Sequence, residues 1–206
     1  MMGRDFSNES ILNLLFRLQR ASISRLRGLS FALCRIFSKN SSHKIIFGKY
    51  PKFMNSKWIF LHQNVSFGDF LRLECYKSNH DSISIDAKII IGENTSFGDF
   101  VHIGAINKVF IGSNVLGASK ILIIDHDHGK GQKYLDSYKN IPPRKRELVS
   151  KGTIHIGDNV WIGEGAVILA GSDIGEGAII AANSIVKGVV PPFNVFTNTV
   201  KELNGL

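Results

Sequence analysis

The sequence predicts an all-β solenoid in which short parallel strands stack as the turns of a β-helix. Two observations carry this prediction. First, apolar residues recur at every sixth position, a period that fits neither an α-helix nor an amphipathic strand. Second, a glycine often follows the leading apolar residue of each unit, and a small or branched residue takes the fifth place. Three such units make one triangular turn, and each turn buries its side chains only against its neighbours.

The C-terminal third carries the period without a slip. The leading residues there are Ile156, Ile162, Ile168, Ile174, Ile180 and Val186. The fifth places are Val160, Ala166, Ser172, Ala178, Ser184 and Val190. Branched side chains pack well on a pleated surface, so we expect the leading residues to fill the prism. The fifth residues are expected to point inward where space is tighter.

Upstream, the same period is expected to run unbroken through eight units. Their leading residues are Leu61, Phe67, Leu73, Asn79, Ile85, Ile91, Phe97 and Ile103. Val109 and Phe110 are then two extra residues, interpreted as a bulge at a corner, and three more units follow from Ile111 to His128. Together with the C-terminal units, these predict about five to six turns. A polar and basic stretch at 129–155 breaks the period, and so long an excursion from a solenoid is typically functional.

The N-terminus carries most of the basic charge. Residues 1–50 contain nine Lys or Arg against two acidic residues, and so supply +7 of the formal net charge of +8. Between residues 10 and 37, apolar residues at a broken three-to-four spacing predict a helical segment. A basic amphipathic helix is typical of an anionic membrane surface, and the alternative is a cap on the solenoid end. No apolar run is long enough to span a membrane, and no cleavable signal is predicted.

These features divide the chain into a basic helical segment at 1–45, a solenoid domain at 46–192 and a C-terminal tail at 193–206. Two cysteines are too few for a disulfide framework, which favours a reducing cytoplasm. We find no nucleic-acid-binding motif that would explain the basic charge. The glycines around Glu164 lack the strand-to-helix context of a phosphate loop.

Several motifs together resemble the hexapeptide-repeat acyltransferases, and most closely the maltose/galactoside acetyltransferase-like branch that includes O-acetyltransferases of bacterial surface polysaccharides. They are the segment 111–116, the Asp-His-Asp-His-Gly stretch at 125–129, and the segments 156–163 and 184–192. The resemblance covers about residues 60–203. It implies a left-handed coil, a homotrimer, and direct transfer of an acyl group from acetyl-CoA to a hydroxyl or amine.

The resemblance also implies a catalytic histidine at the start of the excursion. A gap-free match places it at His128, with His126 as the competitor, and Asp125 or Asp127 would orient the imidazole. Histidine suits this role because its ordinary pKa lies near neutral pH. The implied substrate and CoA channel contains Trp161, His102, Ala170, Ala182 and Lys187. Trp161 could instead pack the base of the loop, and His102 could be a solvated surface residue.

No metal is expected. Zinc carbonic anhydrases with a β-helix fold need a histidine pair four residues apart, which the pair His126 and His128 does not reproduce. The predicted function is an acetyl-CoA-dependent O-acetyltransferase that acts on a sugar hydroxyl in O-antigen, capsule or exopolysaccharide biosynthesis. We expect it in the cytoplasm, free or peripheral on the inner face of the membrane. The alternatives are an N-acetyltransferase of an amino-sugar nucleotide and a non-catalytic solenoid scaffold.

Overall fold

The structure is a computed structural model, which describes residues 44–76, 88–129 and 138–198. The helical segment predicted at 10–37 lies outside the described residues. In chain order the first strands are β1 (Ile45–Phe47), β2 (Lys52–Met54), β3 (Ile59–Leu61), β4 (Val65–Phe67), β5 (Arg72–Cys75), β6 (Ile89–Ile91), β7 (Ser96–Phe97), β8 (His102–Ala105), β9 (Val109–Ile111), β10 (Leu116–Gly117) and β11 (Leu122–Ile124). The remaining strands are β12 (His126–His128), β13 (Leu148–Ser150), β14 (Ile154–Ile156), β15 (Trp161–Ile162), β16 (Val167–Leu169), β17 (Asp173–Ile174), β18 (Ile179–Ile180), β19 (Ile185–Val186), β20 (Val189–Val190) and β21 (Val195–Phe196). Single 3-10 turns lie at Ser56–Trp58 and Pro143–Lys145.

Three parallel sheets form the sides of a triangular prism. Face A has the strand order β1-β4-β7-β10-β15-β18-β21, face B has β19-β16-β11-β8-β5-β2, and face C has β20-β17-β14-β9-β6-β3. The chain visits the three faces in rotation, and each strand pairs in parallel with the strand one turn away. The predicted fold class, an all-β left-handed parallel β-helix with a protruding loop, is confirmed.

The core is a set of stacked side-chain columns inside the prism. Ile103, Ile123 and Ile168 lie in register on face B, and all three are fully buried. Every leading residue and every fifth residue predicted in the C-terminal third is buried as well. Such columns exclude water only because each turn covers the next, so a single turn would leave its apolar side chains exposed.

Tight corners explain the glycines and asparagines of the repeats. A Cβ on Gly92 would lie 2.5 Å from the carbonyl carbon of Gly112 in the next turn, so only glycine allows this approach. At the corner between faces C and A, Asn64, Asn94 and Asn114 adopt left-handed backbone angles, with φ of 57°, 56° and 57°. Asparagine is one of the few residues that tolerates this conformation.

The register predicted upstream holds for six of the eight leading residues, Leu61, Phe67, Leu73, Ile91, Phe97 and Ile103. The prediction that the eight units run unbroken is wrong. Strand pairing advances 18 residues per turn in the C-terminal third, where Trp161 lies opposite Ile179. It advances 30 residues from Phe67 to Phe97, and 45 from Leu116 to Trp161. The predicted leading residues Asn79 and Ile85 lie outside the described residues, and the strands on either side of them, β5 and β6, occupy the neighbouring faces B and C.

The extra residues enter at one corner, between faces B and C, which we call the BC corner. There β5 and β6, β8 and β9, and β11 and β14 are each joined by more residues than a six-residue repeat provides. The predicted bulge at Val109 and Phe110 is also wrong, because both residues belong to β9 and the extra residues precede them. The chain therefore repeatedly leaves the coil along a single edge.

The longest excursion leaves this edge as a hairpin. β12 pairs antiparallel with β13, with His126 opposite Ser150 and His128 opposite Leu148. The coil resumes at β14, which pairs with β9. At the other end of the chain, the coil continues to Phe196, so β21 lies in the segment assigned to the C-terminal tail.

Candidate active site

A buried aspartate and histidine meet where the chain leaves face B. Asp125 follows β11 directly and has no solvent exposure. Its carboxylate accepts hydrogen bonds from the backbone N–H groups of Ile106 and Asn107, each at 2.8 Å. The Nδ1 of His126 lies 3.0 Å from Asp125 Oδ1. Because a carboxylate only accepts, Nδ1 carries the proton and the lone pair of Nε2 is the basic site of the ring.

The neighbouring turn shapes the space around His126. A Cβ on Gly104 would lie 3.3 Å from Cε1 of the imidazole, so glycine leaves just enough room for the ring. The Tyr76 ring packs edge-on against the imidazole, with the two centroids 4.9 Å apart. The side chain of His126 is only 5% exposed, so both its orientation and its contact with water are restricted.

A buried carboxylate that binds the Tyr76 hydroxyl was missed by the sequence analysis. Glu74 is almost fully buried and accepts hydrogen bonds from Arg72 at 2.7 Å and from the Tyr76 hydroxyl at 2.9 Å. Lys52 Nζ lies 2.7 Å from its other oxygen. Burial alone would raise the pKa of Glu74, but the hydrogen bonds from Lys52, Tyr76 and Arg72 outweigh it and lower the pKa to about 2. Glu74 is therefore a fixed negative charge that holds the Tyr76 ring in place.

His102 lies between this carboxylate and His126. Its Nε2 is 3.0 Å from Glu74 Oε2, although the angle does not satisfy hydrogen-bond geometry. Burial lowers the pKa of His102, and the positive charge of Arg72 lowers it further, while Glu74 acts in the opposite direction. With its pKa lowered, the imidazole of His102 is neutral at pH 7. Its side chain is mostly buried against Glu74 rather than solvated.

His128 and Asp127 occupy a different environment from His126. Both are exposed on β12. Asp127 pairs with Lys151 at 2.8 Å, with both side chains about half exposed. Exposed pairs of this kind contribute little to stability or to side-chain orientation. Of the two aspartates predicted to orient the imidazole, Asp125 contacts His126 and Asp127 pairs with Lys151 instead of a histidine.

A small groove beside His126 gathers some of the predicted channel residues. Its lining residues are Ile124, His126, Asp127, Lys151, Leu169, Ala170 and Lys187. Trp161 and Ala182 do not join them. Trp161 projects from face A with half its surface exposed, and Ala182 is an exposed residue after β18 on the same face. Of the predicted channel residues, the groove therefore contains Ala170 and Lys187.

A buried lysine also lies at the BC corner, and the sequence analysis did not identify it. Lys88 precedes β6 and is only 8% exposed. Cys75 is buried nearby, and burial raises the pKa of its thiol to about 12, so it is not a nucleophile near neutral pH. Neither residue stands at a leading or fifth place of a repeat, so the period of six does not report them.

Two further observations limit what the described residues can do. Within residues 44–76, 88–129 and 138–198, no three side chains of His, Cys, Asp or Glu cluster in a way that could hold a metal ion. In the same part of the chain, no helix combines the length and the apolar character needed to cross a membrane.

Comparison with known proteins adds independent findings. Residues 153–188 match the family model described as bacterial transferase hexapeptide, six repeats. The chain is 37% identical over 162 residues to WbbJ of Escherichia coli K12, which is named for a proposed role as a lipopolysaccharide biosynthesis O-acetyl transferase. That match covers 77% of this chain and 76% of WbbJ.

Two more distant similarities have the same character. A proposed acetyltransferase of Mycobacterium tuberculosis H37Rv is 25% identical over 119 residues, which cover 58% of this chain and 35% of that protein. The crystal structure of the hexapeptide-repeat acetyltransferase VCA0836 from Vibrio cholerae aligns with a TM-score of 0.49 and 23% identity. The alignment covers 91% of this chain and 85% of that one.

Proposed function

Since this chain belongs to the bacterial hexapeptide-repeat acyltransferases, which use coenzyme A thioesters, we propose that it transfers an acetyl group from acetyl-CoA to a sugar hydroxyl, with His126 as the general base. The observation that carries the proposal is the buried contact of 3.0 Å between His126 Nδ1 and Asp125 Oδ1. Two backbone N–H groups fix the carboxylate, and the carboxylate fixes the ring. His126 therefore takes the role for which the gap-free match favoured His128.

The chemistry follows from the protonation state of the ring. Nε2 of His126 takes the proton from the sugar hydroxyl as its oxygen attacks the thioester carbonyl carbon. When the tetrahedral intermediate collapses, the carbon–sulfur bond breaks and the CoA sulfur receives the proton from Nε2. Asp125 stabilises the imidazolium that exists between the two transfers, as an oriented carboxylate does in hydrolase triads. A positioned general base of this kind contributes roughly 10²–10⁴-fold to turnover.

The groove beside His126 supports a role in binding the donor. Ala170 is a small residue at its wall, which leaves room for a slender chain such as pantetheine. Lys151 and Lys187 also line it, and their charges complement the phosphates of CoA. Exposed Arg144 and Lys145 on the excursion add positive charge.

We assign the acceptor to the sugars of a bacterial surface polysaccharide, such as O-antigen, capsule or exopolysaccharide. The support is the name of the relative WbbJ, which specifies lipopolysaccharide biosynthesis and O-acetyl transfer. Such an acceptor and acetyl-CoA would meet in the cytoplasm. Mass spectrometry of the glycan from cells with and without the gene should show a loss of 42 Da per acetylated unit; an unchanged glycan would contradict the assignment.

The decisive test separates the two histidines. His126→Ala should lower the turnover number by roughly 10²–10⁴-fold, while His128→Ala should lower it far less. Turnover is measured as release of free CoA thiol from acetyl-CoA with a panel of sugar glycosides. If the turnover number falls by this factor in His128→Ala but not in His126→Ala, the general base is His128. If wild-type protein releases no thiol with any acceptor, the O-acetyltransferase proposal fails.

We further propose that the active enzyme is a homotrimer with a channel built by two chains. The predicted channel residues lie in two groups, with Lys187 near His126 and Trp161 on face A. Face A also exposes Leu116, Trp161 and Val195, which lie in one outward column. An apolar column of this kind suits packing against another copy. Light scattering at micromolar concentration should give the mass of a trimer. The mass of a monomer would contradict the proposal of a channel built by two chains.

The segment 10–37 is proposed to bind anionic membrane surfaces. The support is the net charge of +7 over residues 1–50 and the apolar pattern within the segment. Full-length protein should sediment with vesicles containing phosphatidylglycerol at low salt, and added salt should release it because screening acts within about 10 Å at 0.1 M. A variant lacking residues 1–40 should remain folded and stay in the supernatant. Failure of the full-length protein to sediment would favour a cap on the solenoid.

A further inference from the structure

Lys88 places a buried ammonium group one layer behind the candidate active site. Its Nζ donates hydrogen bonds to the carbonyl oxygens of Tyr76 at 2.9 Å and Ile106 at 2.7 Å. The same group lies 4.9 Å from the centroid of the Trp58 ring. The two carbonyls belong to different turns, since Tyr76 follows β5 and Ile106 follows β8. One charged group therefore ties two successive turns together at the BC corner.

Tyr76 and Ile106 are both connected to His126, Tyr76 by direct ring contact and Ile106 through Asp125. Tyr76 is the residue whose ring packs against the imidazole, with centroids 4.9 Å apart. Ile106 donates its N–H to Asp125 Oδ1, the same oxygen that accepts from His126. Lys88, Tyr76, His126, Asp125 and Ile106 therefore form a closed ring of contacts. Lys88 therefore contacts the backbone of both the residue whose ring packs against the imidazole and a residue whose N–H binds the orienting carboxylate.

Simple packing does not require a lysine at this position. Burying an ammonium group costs free energy that hydrogen bonds only partly offset, and a methionine of similar length would fill the space without that cost. What the ammonium adds is a pair of charge-assisted hydrogen bonds, which are shorter and more directional than apolar contacts. Their two acceptors are backbone carbonyl oxygens of successive turns, and the ammonium adds these contacts to the hydrogen bond of 2.8 Å from the Tyr76 N–H to the Ala105 carbonyl that already joins the turns.

We propose that Lys88 is a positioning residue for His126, acting through the Tyr76 and Ile106 backbones without touching either substrate. This inference rests on the proposed role of His126 as general base. Lys88 has no sequence motif and lies outside the repeat register. It is assigned by its placement at the corner where β5, β6, β8 and the segment after β11 converge.

The test compares Lys88→Met with a matched control, Lys120→Met. Lys120 is an exposed lysine at another corner of the solenoid, with a single ion pair to Glu164 at 2.7 Å. Lys88→Met should lower kcat by about 10²-fold, the cost of misplacing a reacting group by about 1 Å, while KM for acetyl-CoA stays unchanged. The control should keep the wild-type kcat. Both variants are first shown to be folded by thermal melting.

A second readout does not depend on activity. In wild-type protein, nitrogen NMR of the imidazoles should show His126 protonated at Nδ1 and unprotonated at Nε2, with the signal assigned by comparison with His126→Gln. Lys88→Met should shift this signal or mix the two tautomers, and Lys120→Met should leave it unchanged. If wild-type protein transfers no acetyl group, the proposed function fails, but the NMR comparison still decides the role of Lys88.

The proposal is overturned if folded Lys88→Met keeps both the wild-type kcat and the wild-type His126 signal. If Lys88→Met melts below the assay temperature, Lys88→Gln replaces it, because its amide can reach one of the two carbonyls. The same two readouts then decide the outcome. A loss of melting temperature with an unchanged His126 signal in that variant would also refute the proposal, since it would show a purely structural role.

Discussion

Replacing Asp125 by asparagine isolates the charge that orients the candidate base. The carboxylate accepts three hydrogen bonds, from Ile106 N–H, Asn107 N–H and His126 Nδ1–H, at 2.8, 2.8 and 3.0 Å. An amide cannot satisfy all three donors. If its oxygen faces Ile106 and His126, its NH₂ group faces the N–H of Asn107. If it is reversed, the NH₂ group faces Nδ1 and forces the ring into the other tautomer.

The magnitude follows from these contacts. A hydrogen bond to a charged group is worth about 1.5–3 kcal/mol, and a buried donor left without a partner costs about 1–3 kcal/mol. Because Asp125 is fully buried, water cannot replace the lost acceptor. We therefore expect Asp125→Asn to lower the free energy of unfolding by about 2–4 kcal/mol. Turnover should fall by roughly 10²–10⁴-fold, because the ring is no longer held with Nε2 unprotonated.

Urea unfolding followed by circular dichroism measures the first effect, and release of CoA thiol measures the second. The matched control for stability is Asp127→Asn, two positions further along the chain on β12. Its exposed pair with Lys151 should be worth no more than about 1 kcal/mol. An equal loss in the free energy of unfolding in the two variants would show that the buried hydrogen bonds of Asp125 do not stabilise the fold. Full turnover in Asp125→Asn would refute its role in orienting His126.

Three further predictions concern the same edge and the core. Because the folded pKa of Glu74 is about 2, below its ordinary value of 4.5, the stabilisation from its charge is complete above pH 4.5 and is lost as the pH falls through about 2. Acid unfolding of Glu74→Gln should lack this component. Ile123→Ala should cost about 2–5 kcal/mol in urea unfolding, because Ile123 is fully buried, whereas Ile185→Ala at the surface should stay within about 0.5 kcal/mol. Gly104→Ala should lower kcat by up to about 10²-fold at unchanged melting temperature, because the new Cβ would crowd His126; unchanged kcat would show that the ring has room to spare.

The repeat pattern predicted the solenoid because inward positions alternate with corners at a fixed spacing. Ile156, Ile162 and Ile168 needed no alignment to be assigned to the core, and all three are buried. The prediction failed between β5 and β6, where residues fit the six-residue period by chance. Ile85 fits the period, yet β5 and β6 lie on the successive faces B and C of the coil. A six-residue period cannot distinguish an insertion of two whole units from two units of coil, because both keep the register.

The sequence by itself determined the coil, its core columns and the short stretch that carries the candidate base. Those features are local, since side-chain spacing along the chain sets which residues point inward. Only the tertiary structure distinguishes the surroundings of the two histidines. His126 and His128 each follow an aspartate in the sequence, but His126 alone of the two contacts a buried carboxylate, whose partners, Ile106 and Asn107, come from the previous turn. Glu74, Tyr76 and Lys88 reach the site for the same reason, because stacking of turns brings together residues that are 18 to 50 positions apart in the chain, and no short-range pattern reports such contacts.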